Sequence, residues 1–160
     1  MSSAAPKWKI IVANDDAAVD YKKVIIEDLK KDPRVELVDD FGAKDTSDKT
    51  PYPNVATAAA EKVAAGQYDR GLLLCGTGLG VAISACKVPG IRAACCHDPF
   101  SVERSILSND CQILTMGQRV IGIELARNLV KQWLGHVFDP QSASAKKVAA
   151  ISEYEKKAAS

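Results

Sequence analysis

A cysteine followed by three closely spaced glycines is the segment of this sequence best suited to chemistry. It follows the apolar run 72–74, so a strand is predicted to end at the thiol and a helix to begin among the glycines. A helix N-terminus lowers the pKa of a nearby thiol, and glycines expose N–H groups that hold anions. The segment therefore predicts a base and an anion cradle on one loop. Its residues are Cys75, Gly76, Thr77, Gly78, Leu79 and Gly80.

Two common glycine-loop functions do not fit this spacing. A dinucleotide-binding loop reads G-x-G-x-x-G and follows the first strand, whereas this loop reads G-x-G-x-G, continues with Val81 and follows the third predicted strand. A P-loop would end in Gly-Lys-Ser/Thr, which is missing here. A tight turn without a ligand is the alternative, but three glycines in five residues exceed what a turn needs. We therefore favour an anion site.

The segments around this loop alternate between apolar β-rich runs and helical periodicity. Strands are predicted at 9–13, 35–38, 70–74, 91–95 and 112–116, and helices at 19–31, 54–65, 79–87, 99–107, 121–134 and 143–156. Such alternation is typical of a parallel sheet with helices on both faces. The sequence predicts one doubly wound α/β domain over residues 1–160, with flexible tails at 1–7 and 157–160.

Several polar residues follow the predicted strands, where doubly wound sheets bind their ligands. Asp15 and Asp16 follow the first strand, His97 the fourth and Arg119 the fifth. Each has an ordinary alternative, since the acids can cap a helix, the histidine can face solvent and the arginine can form a surface pair. Two carboxylates would repel an anion, so in a functional site they handle hydroxyls or protons rather than phosphate.

Composition excludes several functional classes. The 160 residues carry a formal net charge of +1, which suits one domain and gives no electrostatic footprint for nucleic acid. No apolar run approaches the roughly 18 residues of a membrane helix, and the N-terminus does not resemble a secretory signal. The five cysteines show no CxxC pair or metal-ligand spacing. They predict reduced thiols, no metal site and a cytoplasmic location.

Four motifs together resemble the type B ribose-5-phosphate isomerases, a family that includes galactose-6-phosphate isomerase subunits and tetrulose-phosphate isomerases. They are CGTGLG at 75–80, ACKVPGIRA at 85–93, SND at 108–110 and GQRVIG at 117–122, and the resemblance runs from about Lys9 to Tyr154. It implies a Rossmann-like sheet of five parallel strands and a homodimer with composite active sites. It also implies isomerisation of a sugar phosphate, aldose to ketose, through a cis-enediolate and without a cofactor.

The resemblance assigns the proton transfer to the cysteine–glycine loop. Cys75 would move a proton between carbons 1 and 2, and Thr77 would assist the oxygens. The N–H groups of the loop would stabilise the enediolate. A second subclass has serine at position 75 and a glutamate base at position 81, so Cys75 and Val81 indicate the cysteine subclass.

Further residues are matched to the rest of the substrate. Asp15 would contact sugar hydroxyls, Asn109 would bind near the enediolate and Arg119 would bind the phosphate. Lys147 stands where the family often has a phosphate-binding arginine, but an ammonium cannot bind phosphate through two parallel hydrogen bonds.

Three departures from the family pattern leave the sugar open. Asp16 stands where a histidine is usual, Ser108 replaces the histidine credited with opening the furanose ring, and residues 142–144 lack an arginine. In one hypothesis His97 or Asp16 contacts the substrate in place of the lost histidine, and the enzyme isomerises ribose 5-phosphate in the pentose phosphate pathway. In another the substrate is a four-carbon ketose phosphate, such as erythrulose 4-phosphate, which forms no furanose.

We favour ribose 5-phosphate from the sequence, because it is the family's commonest substrate. A third hypothesis, from a different class, is a non-catalytic subunit that only binds sugar phosphate.

Overall fold

The computed structural model describes residues 7–159, which form a five-stranded parallel sheet flanked by helices. The strands are β1 (Trp8–Asn14), β2 (Val35–Asp40), β3 (Arg70–Cys75), β4 (Ala93–Cys95) and β5 (Ile113–Gly117). The helices are α1 (Val19–Lys31), α2 (Tyr52–Ala64), α3 (Leu79–Ala85), α4 (Pro99–Leu107), α5 (Ile123–Trp133) and α6 (Ala145–Ala158). Residues 1–6 and 160 of the predicted tails lie outside the described residues. None of the helices within 7–159 is long and apolar enough to cross a membrane.

The strand order is β2-β1-β3-β5-β4, which confirms the predicted fold class. The chain leaves β1 to form β2 on one side and then crosses back to form β3 on the other side of β1. Doubly wound sheets open a ligand crevice at such a reversal, beyond the carboxyl ends of the strands. Asn14 is in register with Leu74, so Asp15 and Cys75 emerge next to each other at this crevice.

Side chains alternate between the two faces of the central strand. Leu72 and Leu74 pack in the core beneath α1, α4 and α5, whereas Leu73 and Cys75 pack beneath α2 and α3. Every residue of β3 is buried, as expected for a parallel strand covered on both faces. The alternation places the thiol of Cys75 on the α2 and α3 side of the sheet.

Several predicted boundaries differ from the structure by one to a few residues, and two of these differences have clear local reasons. Helix α2 begins at Tyr52, two residues before the prediction, and proline is tolerated in a first helical turn because no N–H partner is needed there. Strand β4 begins at Ala93 rather than Ile91, because the Ile91 N–H donates to the carbonyl of Val88 in a turn (3.1 Å).

A buried lysine anchors the loop that follows β2. Lys22 of α1 is 2% exposed, and its ammonium donates to the carbonyls of Phe41 (3.1 Å) and Ala43 (2.6 Å). Burial lowers the pKa of Lys22, and the ion pair with Asp40 at 2.8 Å opposes that shift. The anchor holds the 41–51 loop beside the carboxyl end of β1.

A buried arginine ties β3 to the end of α5. The guanidinium of Arg70 lies 3.8 Å from the ring centroid of Trp8 and 5.3 Å from that of Trp133. It donates to the backbone carbonyls of Trp133 (2.6 Å) and His136 (2.5 Å), where the negative end of a helix favours a cation. Burial lowers the pKa of Arg70 to about 10, so the group stays protonated at neutral pH.

Replacing Arg70 with Met should lower the free energy of unfolding by about 3 kcal/mol, because two buried carbonyls lose a charged donor and two rings lose a cation. Urea unfolding followed by far-ultraviolet circular dichroism measures the loss. Lys30→Met is the control, since Lys30 is an exposed cation paired with Glu27 and its removal should leave stability nearly unchanged. Equal losses in the two variants would contradict this account of Arg70.

Candidate functional site

The loop after β3 is hydrogen-bonded to the turn after β5. Gln118 donates its backbone N–H to the carbonyl of Cys75 (2.9 Å), and Arg119 donates to that of Gly76 (3.0 Å). The guanidinium of Arg119 consequently lies against the loop, with a nitrogen 3.4 Å from where a Cβ on Gly76 would stand. The structure therefore places a permanent cation next to the predicted anion cradle.

Two glycines make this close approach of backbones possible. Gly78 has φ +78°, and a Cβ there would lie 2.8 Å from the carbonyl carbon of Met116. A Cβ on Gly117 would lie 2.5 Å from the Cα of Thr77. Neither position accepts a side chain without displacing backbone, which gives a physical reason for the glycine spacing noted in the sequence.

The thiol of Cys75 is buried and faces a backbone donor. Cys75 is 5% exposed, and its Sγ accepts the N–H of Gly78 at 3.0 Å. The sulfur therefore lies within hydrogen-bonding distance of the backbone of its own loop. Among the described residues, the backbone N–H groups of Gly76, Thr77 and Gly80 donate to no protein acceptor. These three donors are suited to holding an oxyanion.

The two acids after β1 have different surroundings. Burial raises the pKa of the Asp15 carboxyl, opposed by the N–H of Ala17 at 3.0 Å and the charge of Arg119. Asp16 lies 2.6 Å from the ammonium of Lys49, and this hydrogen bond lowers the pKa of Asp16. Asp16 is thus a charged and paired carboxylate, whereas Asp15 holds its proton to a higher pH and is suited to contacting hydroxyls.

One ring nitrogen of His97 is hydrogen-bonded to the backbone. Its Nε2 accepts the N–H of Gly117 at 2.9 Å. The neighbouring Asp98 caps α4 by accepting the N–H of Ser101 at 2.8 Å. His97 therefore lies at the predicted edge of the sheet, with a bond to the turn that carries Arg119.

Asn109 and Ser108 lie at the opposite edge of the sheet. The carbonyl of Asn109 accepts from Arg92 (2.9 Å), which directly precedes β4, and its side-chain amide donates to the carbonyl of Arg104 (3.0 Å). Helix α4 begins near the site and runs back for nine residues, about 13 Å at the usual rise. One chain therefore does not bring Asn109 to Cys75.

Lys147 forms no hydrogen bond or ion pair with the loop among the described residues. It is exposed in the first turn of α6, a helix that is tied through Glu155 to the N–H of Gly90 (2.9 Å) before β4. Among the described residues its ammonium forms no hydrogen bond or ion pair. Of the predicted substrate-binding residues, Asn109 lies at the opposite edge of the sheet from the loop, and Lys147 is not bonded to the loop.

Three residues at the site were not singled out by the sequence. The ring of Tyr52 packs on the glycine loop, since a Cβ on Gly80 would lie 2.4 Å from it. Lys49 reaches Asp16 from the 41–51 loop, and Gln118 accepts the N–H of Tyr21 (3.1 Å). The only signal was their place after a strand in the chain. No cluster of three or more His, Cys, Asp or Glu side chains within residues 7–159 could hold a metal ion.

Comparison with known proteins identifies the family. A family model described as Ribose/Galactose Isomerase matches residues 10–151. The chain belongs to this family. The D-erythrulose-4-phosphate isomerase 2 of Mycolicibacterium smegmatis is 60% identical over 147 residues, covering 92% of this chain and 97% of that protein. The D-erythrulose-4-phosphate isomerase of Pectobacterium atrosepticum is 42% identical over 146 residues, covering 91% and 94%.

Solved structures agree with this assignment. Ribose-5-phosphate isomerase B of Clostridium thermocellum superposes with a TM-score of 0.87 at 41% identity, covering 93% of this chain and 98% of that one. These relatives confirm the predicted family and show that the chain is an isomerase of the sugar-phosphate isomerase family. The names of the two relatives favour the four-carbon alternative over the preferred ribose 5-phosphate.

Gly78→Ala should lower kcat/KM by at least about 100-fold, because it displaces the N–H donors of the loop. Gly90→Ala is a matched control, since Gly90 also has a positive φ (+83°) but no atom within 4 Å of a Cβ. That control should lose about 1–2 kcal/mol of stability from backbone strain and keep its turnover. Steady-state kinetics and thermal unfolding measure both variants. Equal loss of activity in the two would contradict the role given to close packing at Gly78.

Proposed function

We propose that this isomerase interconverts erythrulose 4-phosphate and erythrose 4-phosphate. The proposal rests on one observation. The site has a thiol suited to act as a base and an oxyanion cradle, but no matching group that could open a sugar ring. Position 108 is a serine and position 16 is a carboxylate already paired with Lys49. The Nε2 of His97 accepts a backbone N–H, so that atom holds no proton to give to a ring oxygen.

Four-carbon substrates need no such group, for a covalent reason. A furanose forms from an aldose through the oxygen on carbon 4, and in erythrose 4-phosphate that oxygen carries the phosphate. Erythrulose 4-phosphate has no fifth carbon from which to close a ring. Both substrates are open chains, so proton transfer between carbons 1 and 2 is the whole reaction. The two relatives named as erythrulose-4-phosphate isomerases support this substrate.

In the proposed mechanism the thiolate of Cys75 removes a proton from carbon 1 of the ketose. The electron pair of the broken C–H bond forms the carbon–carbon double bond of a cis-enediolate, and negative charge collects on the oxygen of carbon 2. The N–H groups of Gly76, Thr77 and Gly80 hold that oxygen. Cys75 then returns the proton to carbon 2, while the hydroxyl of Thr77 assists transfer of the hydroxyl proton between the two oxygens. No electrons leave the substrate, so the reaction needs no redox cofactor.

The remaining contacts bind the rest of the substrate. Arg119 binds the phosphate, as its guanidinium lies beside the loop and carries a permanent charge. Asp15 binds a sugar hydroxyl, and its raised pKa suits an uncharged partner better than an anion. These assignments, with Cys75 as the base, extend the family resemblance to this chain.

We further propose that the working unit is a cytoplasmic homodimer with composite sites. Asn109 lies at the opposite edge of the sheet from Cys75 and Lys147 is not bonded to the loop in one chain, which supports supply of both residues by a second copy. Large apolar side chains are exposed close to the site, namely Leu79 (57%), Ile83 (64%) and Phe100 (71%). Such clustered apolar exposure is typical of an interface.

Ribose 5-phosphate is the second candidate substrate. Its support is the similarity to the ribose-5-phosphate isomerase B of Clostridium thermocellum. Opening its furanose would require a proton donor, and a second chain would bring a serine rather than a histidine at position 108.

Purified enzyme should turn over erythrulose 4-phosphate with a kcat/KM at least about 100-fold above that for ribose 5-phosphate, because only the pentose must first be opened. Coupled assays with each substrate measure the ratio. Ser108→His should raise the pentose activity without raising the four-carbon activity. A ratio of kcat/KM values of one or below would reject the four-carbon proposal. An enzyme that is inactive on both substrates but still binds phosphate would favour the hypothesis of a non-catalytic binding subunit.

Cys75→Ala should abolish turnover and leave phosphate binding nearly unchanged, because it removes the base alone. Cys86→Ala is the control, as Cys86 is an exposed thiol outside the loop.

When Cys75→Ala and Asn109→Ala chains are co-expressed with different tags, the purified heterodimer should have about half of wild-type activity, since one of its two composite sites has both residues intact. A heterodimer as inactive as its parents would contradict sharing of residues between subunits.

A further inference from the structure

We propose that His97 is a positioning residue whose neutral ring holds the 117–119 turn, and with it Arg119, against the glycine loop. This proposal rests on the proposed function in one respect, the role of Arg119 as a phosphate ligand. It differs from the sequence-based hypothesis that His97 replaces the ring-opening histidine, because it assigns His97 no contact with the reacting atoms.

The hydrogen bond itself fixes the state of the ring. A backbone N–H can only donate, so the Nε2 atom that lies 2.9 Å from the Gly117 nitrogen must be unprotonated. A neutral imidazole has one N–H, which His97 therefore carries on Nδ1. The interaction depends on an acceptor at the Nε2 position and not on a proton that the ring can deliver from there.

The turn is attached through its backbone and also through the Gln118 side chain, which accepts the N–H of Tyr21 (3.1 Å). Three consecutive backbone N–H groups fasten it, from Gly117 to His97, from Gln118 to Cys75 and from Arg119 to Gly76. The last two bonds go to the loop that carries the base. His97 provides the bond from the segment that follows β4, so it ties the turn to a part of the molecule other than the glycine loop.

Protonation of His97 would remove this attachment. A charged ring carries a proton on both nitrogens, so an Nε2–H would face the N–H of Gly117 and repel it. Burial lowers the pKa of His97, and the carboxylate of Asp98 opposes that shift. Two other ionisable groups lie near His97. Arg119 is the charged residue of the 117–119 turn, and the adjacent thiol of Cys96 is neutral because burial raises its pKa to about 11. The turn is thus held at neutral pH and released as the pH falls through the pKa of His97.

The first test reads the ring directly and needs no substrate. The chain has two histidines, so heteronuclear NMR of protein labelled at histidine nitrogens gives two sets of signals, and His136→Gln assigns them. At neutral pH we expect His97 with a protonated Nδ1 and an unprotonated, hydrogen-bonded Nε2. The amide signal of Gly117 should shift along the same titration curve as the ring. A protonated Nε2 at neutral pH, or a Gly117 amide indifferent to the titration, would overturn the proposal.

The second test separates positioning from proton transfer. His97→Ala should raise KM for erythrulose 4-phosphate about tenfold and change kcat less than threefold, because it loosens a binding residue. His97→Gln should restore most of the affinity, since its amide oxygen can accept near the Nε2 position, and its KM should not rise further at acid pH. His136→Gln applies the same change to the other histidine and should match the wild type.

The outcomes distinguish this proposal from the proposed function. Equal loss of kcat in His97→Ala and His97→Gln would identify a proton-transfer group and overturn the positioning role. If the wild type turns over neither sugar phosphate while the NMR titration behaves as expected, the proposed function is rejected. The positioning of the 117–119 turn by neutral His97 is then still supported. Should His97→Ala not fold, the wild-type titration and His97→Gln still decide the question.

Discussion

The contact between the loop after β3 and the turn after β5 sets the geometry of the site. Two backbone hydrogen bonds join them, and two glycines, Gly78 and Gly117, allow the backbones to approach so closely. The same contact aims the Gly78 N–H at the sulfur of Cys75 and brings Arg119 alongside the loop. The thiol of Cys75, the N–H groups of the loop and the guanidinium of Arg119 are therefore positioned by one contact between two backbone segments.

The charges around this contact are arranged to suit an anionic, hydroxyl-bearing ligand. Asp16 would repel a phosphate, but Lys49 lies 2.6 Å from it and offsets its charge. Lys49 is carried by the 41–51 loop, which the buried ammonium of Lys22 holds in place through two carbonyls. Asp15 is left partly buried with a raised pKa. Arg119 contributes the positive charge that lies against the glycine loop.

The cysteine–glycine loop and two of the departures from the family pattern, at position 108 and at 142–144, lie in different parts of the chain. The loop lies at the carboxyl edge of the sheet. Ser108 and Asn109 lie past the end of α4, at the amino edge, and α6 has only Val148 buried among its residues. Relatives named for a four-carbon and for a five-carbon substrate each match more than nine-tenths of this chain.

The sequence by itself determined the α/β fold, the place of every strand and the loop at Cys75, because periodicity and glycine spacing are local properties of a chain. It also indicated the family through the order of four motifs. It did not determine the sugar, and its preference for ribose 5-phosphate relied on what is commonest in the family rather than on a residue. Tertiary structure decided which atoms meet. The bond from Gly117 to His97 depends on the register of β4 against β5, and the ion pair of Lys49 with Asp16 joins residues 33 positions apart. The separation of Asn109 from Cys75 depends on the direction of α4. Such contacts follow from how distant segments pack, which the order of residues along a chain does not specify.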